Sequence, residues 1–115
     1  MTTEIQCFLA LLKELQKIDA EFPLQYMICF AEIAQDEGIN ITALANKTGM
    51  PLSTVSRIIT ALSSTTRKKN TYNLVRIVIL PQERRKKLLY LTPRGKKLVF
   101  NLQNLLHQDR LKNAV

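Results

Sequence analysis

Apolar residues recur along the first twenty positions at steps of three and four. Ile5, Phe8, Leu9, Leu12, Leu15 and Ile18 share one stripe of a helix, which Leu11 widens. Pro23 marks a new helix start, followed by Leu24, Met27, Ile28, Ala31 and Ile33 or Ala34, and Gly38 suits a left-handed C-cap. A short helix is predicted over residues 41–49, with Leu44 and Ala45 inward and a stop at Thr48-Gly49. After a turn at Met50-Pro51-Leu52, a second helix runs from about Ser53 to Ser63. Two short helices joined by a tight turn make a helix-turn-helix over 41–64.

Periodicity then stops, and residues 63–73 read as a basic loop or a short extension of the preceding helix. Residues 72–80, rich in β-branched and apolar types, and residues 87–92 are predicted to pair as a hairpin over 72–92. No Asn-Gly type turn is present, so the link at residues 81–86 is expected to be a longer loop. Thr92 fits an N-cap and Pro93 a first helical position, where its missing N–H would be unpaired anyway. The final helix, about 93–111, carries Leu98, Leu102, Leu105 and Leu106 at helical spacing. The predicted class is mainly α with a small β-hairpin wing (α+β), a winged helix-turn-helix.

Faces of the second short helix follow from spacing. Val55, Ile58, Ile59 and Leu62 fall at i, i+3, i+4 and i+7 and point inward, leaving Ser53, Thr54, Ser56, Arg57 and Thr60 outside. That outer face contains no acid, unlike an ordinary solvated face, and its small polar and cationic groups suit a major groove.

Charge sharpens this reading. The 115 residues, enough for a single domain, carry a net +8, which implies an acidic partner, most commonly nucleic acid. Residues 1–56 sum to −4, residues 57–97 to +11 and the tail to +1, so the cationic field is concentrated in one third of the chain. Arg67, Lys68 and Lys69 of the basic loop and Arg84, Arg85, Lys86 and Lys87 of the wing tip complete the expected DNA-binding set. Glu83 is expected to orient Arg85 toward a minor groove, with Lys86 and Lys87 neutralising phosphates.

Other chemistry finds little support. Cys7 and Cys29 belong to no CxxC pair and read as small buried hydrophobes, indicating neither zinc nor a disulfide. His107 has no nucleophile or acid at a useful spacing, and Glu32, Asp36 and Glu37 read as a solvated helix end. No enzyme activity, metal or cofactor is expected. Without an apolar run long enough to span a bilayer or a basic start typical of a signal peptide, the expectation is a cytoplasmic chain with no membrane partner. Two apolar stripes exceed what a small winged domain can cover, predicting a homodimer through helices at 1–20 and 93–115, with Phe8, Leu12, Leu15, Leu98, Leu102 and Leu105 at the interface.

These residues resemble the MarR-type winged helix-turn-helix regulators. The helical order, Leu44-Ala45 with Ser53-Thr54-Val55-Ser56-Arg57, and above all Glu83-Arg84-Arg85 followed by Leu91-Thr92-Pro93-Arg94-Gly95 are similar to the family's pattern. The resemblance implies a transcriptional regulator that binds a pseudo-palindromic operator in double-stranded DNA as a homodimer. Terminal helices would interlock, recognition helices would enter successive major grooves, and wing arginines would lie near the flanking minor grooves. Glu83 stands where Asp is commoner, the usual Gly before the first wing strand is missing, and residues 63–73 exceed the family norm. The short C-terminal segment predicts a smaller interface and leaves a small-molecule effector not indicated. The alternative is a winged module of a replication, plasmid or phage maintenance system that grips nucleic acid nonspecifically or binds protein.

Overall fold

In the computed structural model, which describes residues 3–63 and 72–113 and, within them, every side chain but those of 84, 85 and 108–113, capping chemistry sets both ends of the third helix and the start of the fifth. The elements are α1 (Thr3–Gln16), α2 (Leu24–Gln35), α3 (Ile41–Thr48), α4 (Leu52–Leu62), β1 (Val75–Leu80), β2 (Glu83–Leu91) and α5 (Pro93–Asn113). They group into two compact units, Pro23–Lys96 and Met1–Phe22 with Lys97–Val115.

Within Pro23–Lys96, Asn40 caps α3 by accepting a 2.8 Å bond from the Ala43 N–H. At its far end Gly49 takes φ +73 and donates to the Ala45 carbonyl at 2.9 Å. Pro51 precedes α4 in an extended conformation, and Val55, Ile58, Ile59 and Leu62 bury the predicted face. They join Phe30 and Ile33 of α2, Leu44 of α3, Leu74, Val75 of β1 and Leu89 of β2 among the buried side chains of this unit.

Gly38 does not cap α2, which ends earlier with Asp36 as its C-cap. Its φ of +96 instead turns the chain alongside β2. There the Gly38 N–H donates to the Leu89 carbonyl at 2.8 Å and the Leu89 N–H donates to the Ile39 carbonyl at 2.9 Å. Glu37 extends the seam, its carboxylate accepting the Leu91 N–H at 2.8 Å. The inner edge of the wing is thereby paired with the segment leading into α3, and the HTH and wing are fixed to each other by backbone bonds.

The hairpin is antiparallel and differs from expectation at its tip. Leu80 pairs with Glu83 across Pro81-Gln82, so the link is a tight two-residue connection and not a long loop. The register steps between neighbouring positions of β1, with Ile79 opposite Lys87 and Leu80 opposite Glu83. Residues 84–86 are therefore excess on β2. A bulge in the strand absorbs the length that the sequence suggested for the loop.

Thr92 performs the predicted capping. Its hydroxyl accepts from the Gly95 N–H at 3.0 Å and donates to the Asn73 carbonyl at 2.7 Å, tying the start of α5 to the residues before β1. Gly95 is required for a different reason: a Cβ there would run into the Leu74 carbonyl oxygen.

In the second unit, α1 pairs with the later part of α5. Asn101 donates to Glu14 at 3.2 Å, and the Cys7 thiol reaches the Leu105 carbonyl at 3.5 Å. Helix α1 buries no residue fully, and Phe8 remains 57% and Leu12 42% exposed. Leu15, Leu102 and Leu105 are half-buried. Leu98, assigned to the outward stripe from its spacing, is only 5% exposed and is already part of the chain's interior. Among the described residues no helix is long and apolar enough to cross a membrane.

Candidate nucleic-acid interface

The outer face of α4 is arranged as its periodicity requires. Ser53, Arg57 and Thr60 are exposed, and Thr54 and Ser56 are half-buried. The Thr60 hydroxyl donates to the Ser56 carbonyl at 3.0 Å, which leaves its oxygen free to accept. Among the described residues no ion pair engages Arg57.

An open cleft of about 490 Å³ lies where the beginning of α3, the first turns of α4 and the wing come together. Ser56, Lys86 and Lys87 all line it, so one predicted residue of the helix and two of the wing border the same cleft although some thirty positions separate them. Ser53, Thr54, Arg57 and Thr60 are on α4 but do not line this cleft. Arg67, Lys68 and Lys69 lie outside the described residues, as do the side chains of Arg84 and Arg85.

Sequence reasoning missed the rest of the lining: Asn40 to Ala43 and Asn46 of α3, and Leu52 of α4. One signal was available. Asn40 precedes an apolar-periodic segment as an N-cap should, and a capped helix start presents N–H groups and positive dipole potential. Placing the start of α4 at Ser53 also left Leu52 in the turn.

The cations divide by what holds them. Lys86 Nζ lies 3.1 Å from the Glu83 carboxylate, with both side chains more than half exposed. Lys86 is the described partner of Glu83, and the expected contact with Arg85 falls on a side chain outside the described ones. Arg76 stacks over the Tyr90 ring at 5.0 Å from its centroid, and Arg94 donates to the Tyr72 carbonyl at 3.0 Å, so both are engaged in holding the wing and its junction with α5. Lys87 has no ion-pair partner among the described residues.

Other candidate chemistry is accounted for by structure. Asp36 pairs with Lys47 at 3.1 Å, Glu37 holds the Leu91 N–H, and among the described residues no group of three or more His, Cys, Asp and Glu could hold a metal ion. Cys29 is fully buried, and burial, followed by the nearby charge of Glu32, pushes its thiol pKa up. It stays neutral, as a small core hydrophobe does.

Comparison with known proteins bears on the fold that holds these residues. The family model for the IclR helix-turn-helix domain matches residues 27–65, which span α3, α4 and most of α2. No curated protein matches the chain in sequence. Among solved structures, MarR is 18% identical over 85% of this chain and 65% of its own, with a TM-score of 0.63. The PcaV transcriptional regulator of Streptomyces coelicolor, solved with its natural ligand, is 19% identical over 78% of this chain and 59% of its own, with a TM-score of 0.59. MepR of S. aureus, solved as a DNA complex, is 17% identical over 89% of this chain and 77% of its own, with a TM-score of 0.71. The chain therefore spans less than two thirds of the length of MarR and PcaV. The fold of this chain is the winged helix of the MarR regulators.

Proposed function

We propose that this chain is a sequence-specific transcriptional regulator of MarR type, binding a pseudo-palindromic operator in double-stranded DNA as a homodimer. The observation that carries the reading is the cleft that Ser56, Lys86 and Lys87 border together with the beginning of α3. A recognition helix in a major groove would place those lysines and the positive end of the α3 dipole against the flanking phosphates. The acid-free outer face of α4 supports base contact. MepR, with the same fold, has been solved bound to DNA. A second copy is supported by the exposed apolar residues of α1, together with Phe100 and Leu106 of α5.

Selection of bound fragments from a random duplex pool, followed by competition with random DNA, tests the proposal. A two-fold symmetric site that survives excess competitor is the expected result. Equal competition by random duplex, with no site emerging, would favour a nonspecific winged module instead.

A further inference from the structure

Leu52 is the first residue of α4 and remains 52% exposed, whereas the other large apolar side chains of the helix, Val55, Ile58, Ile59 and Leu62, are at most 1% exposed. A single exposed leucine is ordinary on a protein surface. The surroundings of this one are not. Leu52 lines the cleft shared with Ser56, one turn along the same ridge of α4, and with Lys86 and Lys87 of the wing, so an apolar side chain stands among groups suited to a polyanion.

Pro51 fixes its placement. The extended Pro51 (φ −58, ψ 146) precedes the helix and makes Leu52 the opening residue, and recognition helices contact base edges with their N-terminal residues. A leucine side chain can neither donate nor accept a hydrogen bond, so it gains nothing from phosphate, sugar or most base edges. In the major groove the apolar group offered by the four base pairs is the C5-methyl of thymine.

Resting on the DNA-binding reading above, we propose that Leu52 is a specificity-determining residue that recognises a thymine C5-methyl in each half-site. Ser56 and the exposed Ser53 supply polar contacts beside it, and the two lysines hold the backbone so that the methyl group is buried against the leucine.

The test uses the duplex selected from the random pool, with each thymine replaced in turn by deoxyuridine, which lacks only the methyl. Wild-type protein is expected to lose about fourfold in affinity at one thymine per half-site, the effect of exposing one buried methyl. Leu52→Ala should bind the thymine duplex more weakly and be indifferent to deoxyuridine at that position, while Leu52→Met, which keeps the apolar reach, should retain the sensitivity. An undiminished deoxyuridine penalty in Leu52→Ala, or no sensitive thymine for the wild type, overturns the assignment and leaves the regulator reading standing. A pool that yields no site at all overturns both.

Discussion

Glu83 shows how one contact changes an expected outcome. With its carboxylate 3.1 Å from Lys86, it neutralises a cation on the surface expected to meet phosphate. Glu83→Gln should therefore free Lys86, tighten binding to specific and random duplexes alike, and steepen the salt dependence by up to about 2 per dimer, roughly one counterion for each subunit. Binding titrations across a salt series check this, and weaker binding by the variant would instead support the expected orienting role of Glu83 toward Arg85. Two glycines make a second residue-scale pair. Gly49→Ala meets open space but must hold φ +73, costing roughly 1–2 kcal/mol. Gly95→Ala has no such backbone demand but drives its methyl into the Leu74 carbonyl and should cost about 1–3 kcal/mol as overpacking. Denaturant midpoints at constant m-value measure both, and an Ala at Gly95 that costs nothing would contradict the close approach of α5 to Leu74.

Among the elements, α4 was the most legible, because its inward and outward faces depend on residues at most four positions apart in each repeat. The wing was only half legible. Its strands follow composition, but the two-residue connection and the bulge at 84–86 depend on pairing between β1 and β2, which no local signal carries. The end of α1 carries a carboxylate, Glu14, that its neighbour Lys17 and, to a lesser degree, Asn101 of α5 favour in the charged form. The Lys17 hydrogen bond, aided by the Lys17 charge and the Asn101 amide, holds the Glu14 carboxyl below its ordinary value of 4.5 against the opposing effect of burial. A pKa lowered on folding favours the ionised native state, so this stabilisation is complete above the unfolded value and is lost as pH falls through the lower, folded one. The protection factors of α1 amides, measured against the intrinsic exchange rate at each pH, should fall in that acid range, and Glu14→Gln should flatten the response. An unchanged pH profile in Glu14→Gln would remove Glu14 as its source.

At the scale of the whole molecule, the exposed apolar surface of α1 is the feature that a single chain leaves unsatisfied. Phe8→Asp with Leu12→Asp should yield a folded monomer, since both side chains are exposed in one chain and their charges would be buried only against a second copy. Sedimentation together with circular dichroism distinguishes the outcomes. A dimer that persists through both substitutions would place the interface elsewhere. Leu98 is unsuitable for the same experiment, because a charge there would disturb the chain's own interior.

The sequence by itself determined the stop of α3 at Gly49, the capping role of Thr92, the two faces of α4 and the concentration of cations toward the wing. Each rests on periodicity, dihedral preference or composition within a few residues. Tertiary structure decided what depends on distant partners. Gly38 serves β2 instead of α2 because Leu89 supplies its bond; Glu83 meets Lys86 because the strand bulges; and the beginning of α3, Leu52 and the wing lysines border one cleft because residues 37–40 pair along the edge of β2. Local patterns record which face a residue turns, whereas the identity of what it meets is settled only when chain segments tens of residues apart close on one another.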